Sequence, residues 1–188
     1  GASILARDVA GNQRFLVSTG QSNAALKQIK PLPTGGYLAA GDAGTPYQPY
    51  LLAVDEQGQK LWDGTYKLNA GGYASYYALS VRADGSFVAG GIATVAETHW
   101  RVNEFAANGT LIAGKEVTGN MNDTSATTHV KGLVAMPEGG WWMAGTRWPN
   151  PFDVGSNYYL SNSDGMLVHM TKDGPKDVDK QIGTPGVH

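Results

Sequence analysis

At 188 residues, with 41% hydrophobic residues, 26 glycines and 9 prolines, the chain is long enough for one domain with a real core and turn-rich enough to argue against a fold of long helices. A formal charge of −2 and only 16% charged residues, without a run of like charge, leave no basic face to displace counterions, so neither nucleic acid nor an anionic membrane surface is expected as a partner. The chain has no cysteine, which excludes a disulfide framework and thiolate metal sites, and its apolar windows are only a few residues long, so no membrane insertion is expected.

In chain order, the first element is Ile4–Asn12, an apolar strand running into a polar turn with Gly11. The stretch Gln28–Gly41 then reads strand, Thr34-Gly35-Gly36 reversal, aromatic Tyr37, small apolar run and closing glycine, which is a β-hairpin pattern. Leu51–Gln59 repeats the opening element, with Asp55 and Gly58 in its turn. Ala78–Gly90 repeats the hairpin through Asp84-Gly85-Ser86, and Arg101–Thr110 repeats the opening element again. Lys131–Gly145 is the third hairpin, reversing at Glu138-Gly139-Gly140, and Leu167–Gly174 closes the series.

Two interleaved motifs at a period near fifty residues place four short strands in each unit, and four-stranded units repeating at that length are the signature of β-propeller blades. Such a sheet is apolar on both faces and is stable only when stacked on its neighbours. In Tyr77–Arg82, Leu79 and Val81 take one face and Ser80 and Arg82 the other, whereas Tyr37–Gly41 and Phe87–Gly91 are small and apolar throughout, as a strand crowded from both sides requires. The expected fold is therefore all-β: a β-propeller or propeller segment of four-stranded antiparallel blades, about three and a half repeats. Residues 1–26 form the outer hairpin of a partial blade, and 27–76, 77–128 and 129–188 form one blade each. Trp62, Trp141 and Trp142 sit inside the strand motifs, where packing between blades is expected.

The pattern Gly-Gly-Tyr/Trp, small apolar residues and Ala-Gly, followed after a loop by a strand ending Asp-x-x-Gly-x-x-x-Trp, resembles the bacterial delta-sixty and related kelch-like or PQQ-like propeller repeats. Leu52–Trp62 is the best match, and the likeness spans almost the whole chain. It implies a fold and is nearly silent on activity, because such blades serve enzymes, receptors and scaffolds alike. The chain opens and closes on an outer hairpin, so the expectation is a segment of a larger propeller or an assembly completed by another chain. Its opening Gly1-Ala2-Ser3, without an initiator methionine, fits a removed leader or an excised fragment.

Tight glycine turns on one rim leave every long connection on the other, which is where function is usually carried. The expected loops are Asp42–Pro49, Ile92–His99 and Thr146–Asp164, together with Ser18–Ala25, Tyr66–Tyr76 and Thr118–Thr128. Their aromatics and amides suit a sugar ring or a partner surface, and the candidate ligand-binding residues are Tyr47, Tyr73, Tyr76, His99, Trp148, Phe152, Tyr158 and Tyr159. His99, His129, His169 and His188 show no metal-ligand pairing at close spacing, and no catalytic residue is assigned. Rim acids Asp42, Glu97, Asp123, Asp153 and Asp164 read as solvated surface, although two of them could flank a glycosidic bond. No cofactor is expected; Asn120, Asn122 and Asp123, or Asn162 and Asp164, could supply oxygens to a calcium ion.

The leading expectation is a non-enzymatic binding or scaffold module of an exported bacterial protein, recognising a glycan or a protein through the long-loop rim. One alternative is an enzyme with its site on that rim, either a glycoside hydrolase or lyase or a quinone-dependent dehydrogenase. Another is an assembly subunit whose unmatched end hairpin, Ile4–Arg7, pairs with another chain, a second copy included, by strand addition.

Overall fold

The computed structural model describes residues 1–66, 72–94, 98–117, 128–147, 164–172 and 176–182. Every regular element among them is a strand: β1 Ser3–Arg7, β2 Gln13–Ser18, β3 Ala25–Pro31, β4 Tyr37–Ala43, β5 Gln48–Val54, β6 Lys60–Thr65, β7 Tyr73–Val81, β8 Phe87–Thr94, β9 Thr98–Phe105, β10 Leu111–Val117, β11 Thr128–Ala135, β12 Trp141–Arg147, β13 Asp164–Met170 and β14 Lys176–Ile182. They form a two-stranded sheet, β1-β2, and three four-stranded sheets, β3-β4-β5-β6, β7-β8-β9-β10 and β11-β12-β13-β14, with sequential neighbours paired antiparallel throughout. The described part of the chain is all-β.

The hairpins share one turn chemistry. In the β1–β2, β5–β6 and β9–β10 hairpins Gly11, Gly58 and Gly109 donate backbone N–H bonds to the carbonyls of Asp8, Asp55 and Ala106; in the β3–β4, β7–β8 and β11–β12 hairpins Gly35, Gly85 and Gly139 donate to Leu32, Arg82 and Met136. All six glycines have φ between 81° and 102°, the left-handed residue that lets a short turn rejoin its strand. The turn at Gly36 lies against the backbone of Val54 and Asp55, so the β3–β4 and β5–β6 turns occupy the same end of their sheet.

The sheets stack face to face through three apolar layers. Ile4 and Phe15 of the two-stranded sheet meet Ala39, Leu52 and Val54. On the opposite face of the β3–β6 sheet Leu38, Ala40, Leu51 and Ala53 meet Leu79, Phe87, Ala89 and Phe105. Val88, Trp100 and Val102 in turn meet Leu133, Trp141, Met143 and Val168. A strand such as β4 is therefore buried on both sides from Leu38 to Ala43, which is why its sequence is small and apolar rather than alternating. The polar face read in Tyr77–Arg82 is also covered: the Ser80 hydroxyl accepts from Ala135 N–H at 2.9 Å, and the Arg82 guanidinium donates to the Met136 and Gly140 carbonyls at 2.9 and 3.1 Å.

Register adds a feature that polarity does not display. β3, β7 and β11 each carry one extra residue against their partner strand, namely Lys27, Tyr77 and Lys131. Another extra residue occurs in β2, β6 and β10, at Arg14, Leu61 and Ile112. Bulges recurring at one place in each unit keep each strand's inward residues aimed at the same neighbour.

Several expectations need correcting. Trp62 stacks on Phe87 across two sheets, with ring centres 6.1 Å apart, and Trp141 is buried between sheets, but Trp142 stacks on His169 of its own sheet at 4.2 Å. Trp142 and His169 are a directly opposed cross-strand pair, and alternation turns both away from the layer that Trp141 and Met143 fill. The loops expected at Tyr66–Tyr76 and Ile92–His99 are shorter, because β7 begins at Tyr73 and β9 at Thr98. Tyr73-Ala-Ser-Tyr-Tyr-Ala-Leu-Ser-Val is aromatic and small throughout and continues the sheet beyond the point where the repeat pattern starts.

Candidate functional site

At the end opposite the tight turns, five side chains and one loop residue come together across the first two four-stranded sheets. Asp42, one residue before the end of β4, is buried, with 4% of its side chain exposed. Its Oδ2 accepts a hydrogen bond from Ser75 Oγ at 2.6 Å and lies 3.6 Å from Lys27 Nζ. Burying this carboxylate is tolerable because an ammonium and a hydroxyl replace its water.

Lys27 is the bulge residue of β3, and its ammonium also stands 5.7 Å from the ring centre of Tyr77, the bulge residue of β7. The Tyr77 hydroxyl is 3.2 Å from that of Tyr73. Tyr73 in turn receives Tyr47 edge-on, with ring centres 5.7 Å apart and planes at 75°. Tyr47 is held on the β4–β5 connection by its carbonyl, which accepts from Ala74 N–H at 3.0 Å, and it is 43% exposed. Burial pushes the Tyr73 phenol above its ordinary value, and the bond to Tyr77 and the nearby negative Asp42 act in the same direction, so Tyr73 stays a neutral hydroxyl.

A second polar group lies beside the connection that follows β2. Asp63 Oδ2 accepts from Tyr50 Oη at 2.8 Å and Gln21 Nε2 at 3.4 Å, and Lys60 Nζ is 3.3 Å away. Burial alone would raise the Asp63 carboxyl, but the bonds from Tyr50, Gln21 and Lys60 outweigh it and hold the group below its ordinary value. This group ties the β2–β3 connection to the first four-stranded sheet.

Of the candidate residues, Tyr47 and Tyr73 meet in the cluster. Tyr76 does not: it is 1% exposed, lies between sheets against Phe105, and its hydroxyl accepts from Asn103 Nδ2 at 2.6 Å. The bulge at Tyr77 resets the alternation, which sends Tyr76 inward and is the reason it is no surface ligand. His99 lies on β9 opposite Ala93, and His129 on β11 opposite Thr146. Trp148, Phe152, Tyr158 and Tyr159 lie outside the described residues, as do Glu97, Asp123, Asp153, Asn120, Asn122 and Asn162. Asp164 opens β13 opposite Arg147. Among the described residues no group of three or more His, Cys, Asp or Glu side chains could hold a metal ion.

Sequence reasoning missed Lys27, Ser75 and Tyr77. Lys27, Tyr77 and Lys131 share one repeat position in the β3–β4, β7–β8 and β11–β12 hairpins, but nothing in the residue types there marks it out. Chemically, the arrangement offers a half-open tyrosine pair edged by hydroxyls and an ammonium. No protein-family model matches the chain, and no curated protein matches it.

Proposed function

We propose that the chain is a binding module of β-propeller type, contributing three complete blades and the outer half of a fourth, and that it recognises a glycan at the end where Tyr47, Tyr73, Tyr77 and Lys27 converge. The observation that carries this reading is the edge-on Tyr47–Tyr73 pair at the mouth of the Asp42–Ser75–Lys27 group. A sugar ring presents an apolar face and a rim of hydroxyls; an exposed tyrosine offers the matching flat surface, while phenol and ammonium groups supply donors. The hydrogen-bonded Asp42, already satisfied by Ser75 and Lys27, serves to fix Lys27 rather than to transfer a proton, which supports binding over catalysis. A Gly-, Ser-, Thr-, Asn- and Tyr-rich composition with few lysines supports an exported bacterial setting.

A glycan array probed with the labelled chain tests this. Retention of a defined set of oligosaccharides, competed by the free sugar, is the expected result, and an array that stays dark throughout overturns the reading.

A further inference from the structure

The β1–β2 sheet corresponds to the second half of each four-stranded sheet. Its bulge immediately precedes Phe15, as the bulges of β6 and β10 precede Trp62 and Ala113, and these three residues are paired with Ala6, Ala53 and Glu104. β1 therefore stands where β5 and β9 stand. Those strands pair with β4 and β8 on their other side, whereas β1 pairs with β2 alone and keeps one edge of unpaired backbone groups, the feature that invites strand addition.

β3 shows what that edge leaves uncovered. Ile29, Leu79 and Leu133 occupy one repeat position, two residues beyond the bulges at Lys27, Tyr77 and Lys131 and opposite Ala39, Ala89 and Met143. Leu79 is 1% exposed and Leu133 9%, but Ile29 is 46% exposed. Leu26, Tyr76 and Val130, one residue before the same bulges, repeat the difference: the last two are closed to water and Leu26 is only partly so. The preceding sheet makes the cover. β7 is touched by β3, β4 and β5, and β11 by β7, β8 and β9, but β1 and β2 make no comparable contact with β3. Leu79 is clustered with Leu38 and Ala40 of β4. Leu133 is clustered with Val88 of β8 and lies over Gly90, where a Cβ would stand 3.2 Å from it. In both cases a branched apolar residue is followed two positions on by alanine or glycine.

We infer that the unpaired edge of β1, together with Leu26 and Ile29 of β3, receives a β-hairpin from a partner polypeptide. The hairpin pairs antiparallel with β1, as β4 does with β5, and turns a branched apolar residue and, two positions on, alanine or glycine toward Ile29. Main-chain bonds to β1 supply attachment, and the fit of alternate side chains over β3 supplies selection. The inference rests on the β1–β2 sheet being half of a four-stranded unit and not on glycan recognition.

The test adds to the whole chain a synthetic peptide with the sequence of Ala25–Ala43, whose second strand carries Leu38 and Ala40. Saturable movement of the Ile29 methyl resonance and amide exchange at least about tenfold slower across Ile4–Ala6 are expected. The same peptide with Leu38→Asp should produce neither, and Ile29→Asp in the chain, a change at an exposed position, should abolish the slowing of exchange in β1. An unmoved Ile29 resonance with unchanged β1 exchange at millimolar peptide, an equal response to the Leu38→Asp peptide, or an undiminished response in a folded Ile29→Asp chain overturns the inference. Self-association of the chain alone that Ile29→Asp dissolves would give the position to a second copy and overturn it as well.

Discussion

A methyl group on Gly41 would overlap the carbonyl oxygen of Ala25, and one on Gly91 that of Ser75, because at these positions the second strand of each sheet passes directly against the first. Neither glycine has an unusual φ, so the demand is for space alone. Gly41→Ala and Gly91→Ala should each cost about 1–3 kcal/mol, as overpacking in a filled interior does, measured by urea denaturation. Asp63 carries a different residue-scale prediction. Its folded-state carboxyl titrates below its unfolded value, so its contribution is complete above the ordinary carboxylate range and is lost as pH falls through the folded value. Asp63→Asn should therefore lower stability by about 1 kcal/mol at pH 7 and bring the variant and the parent together at strongly acid pH. A deficit that persists undiminished in acid would assign the loss to packing instead.

At the level of elements, the first strand of each four-stranded sheet would present an unpaired edge, and side chains from the preceding sheet cover part of it. Gln28 Oε1 of β3 accepts from the N–H of Leu79 in β7, and Ser80 Oγ of β7 accepts from the N–H of Ala135 in β11. Ser80→Ala leaves the Ala135 N–H without that partner and should cost about 1 kcal/mol in denaturant unfolding, with faster hydrogen exchange confined to Ala135 and its neighbours. Global loss without that local signature would contradict the role. The hairpins themselves were legible because glycine at a left-handed turn position is a local demand, visible in Gly11, Gly58 and Gly109 without any tertiary knowledge. The bulge at Tyr77 was not, because an extra residue shows in a sequence only where it breaks an alternation, and β7, buried along most of its length, has little alternation to break. The tyrosine cluster was half legible for the same reason: Tyr47 and Tyr73 advertise themselves as aromatics near turns, whereas Lys27 and Ser75 gain meaning only from facing Asp42 on another strand.

For the molecule as a whole, stacking means that each sheet's stability depends on its neighbours. The β7–β10 sheet has an apolar layer on both faces, while the β1–β2 sheet leaves Leu5 48% and Leu16 60% exposed on its outer side. Hydrogen exchange should accordingly be slowest in β8 and β9 and fastest in β1 and β2; equal protection across all fourteen strands would mean that the stack opens as one unit. The stack also places the tyrosine cluster and the tight turns at opposite ends, and the proposed ligand recognition belongs to the first of these. The most direct test is to compare binding of an array-selected oligosaccharide by the parent, by Tyr47→Ala with Tyr73→Ala, and by Gln57→Ala in the β5–β6 turn. The double variant should bind at least about tenfold more weakly while the turn variant is unchanged; equal affinity in all three, or loss in the turn variant alone, would contradict the assignment.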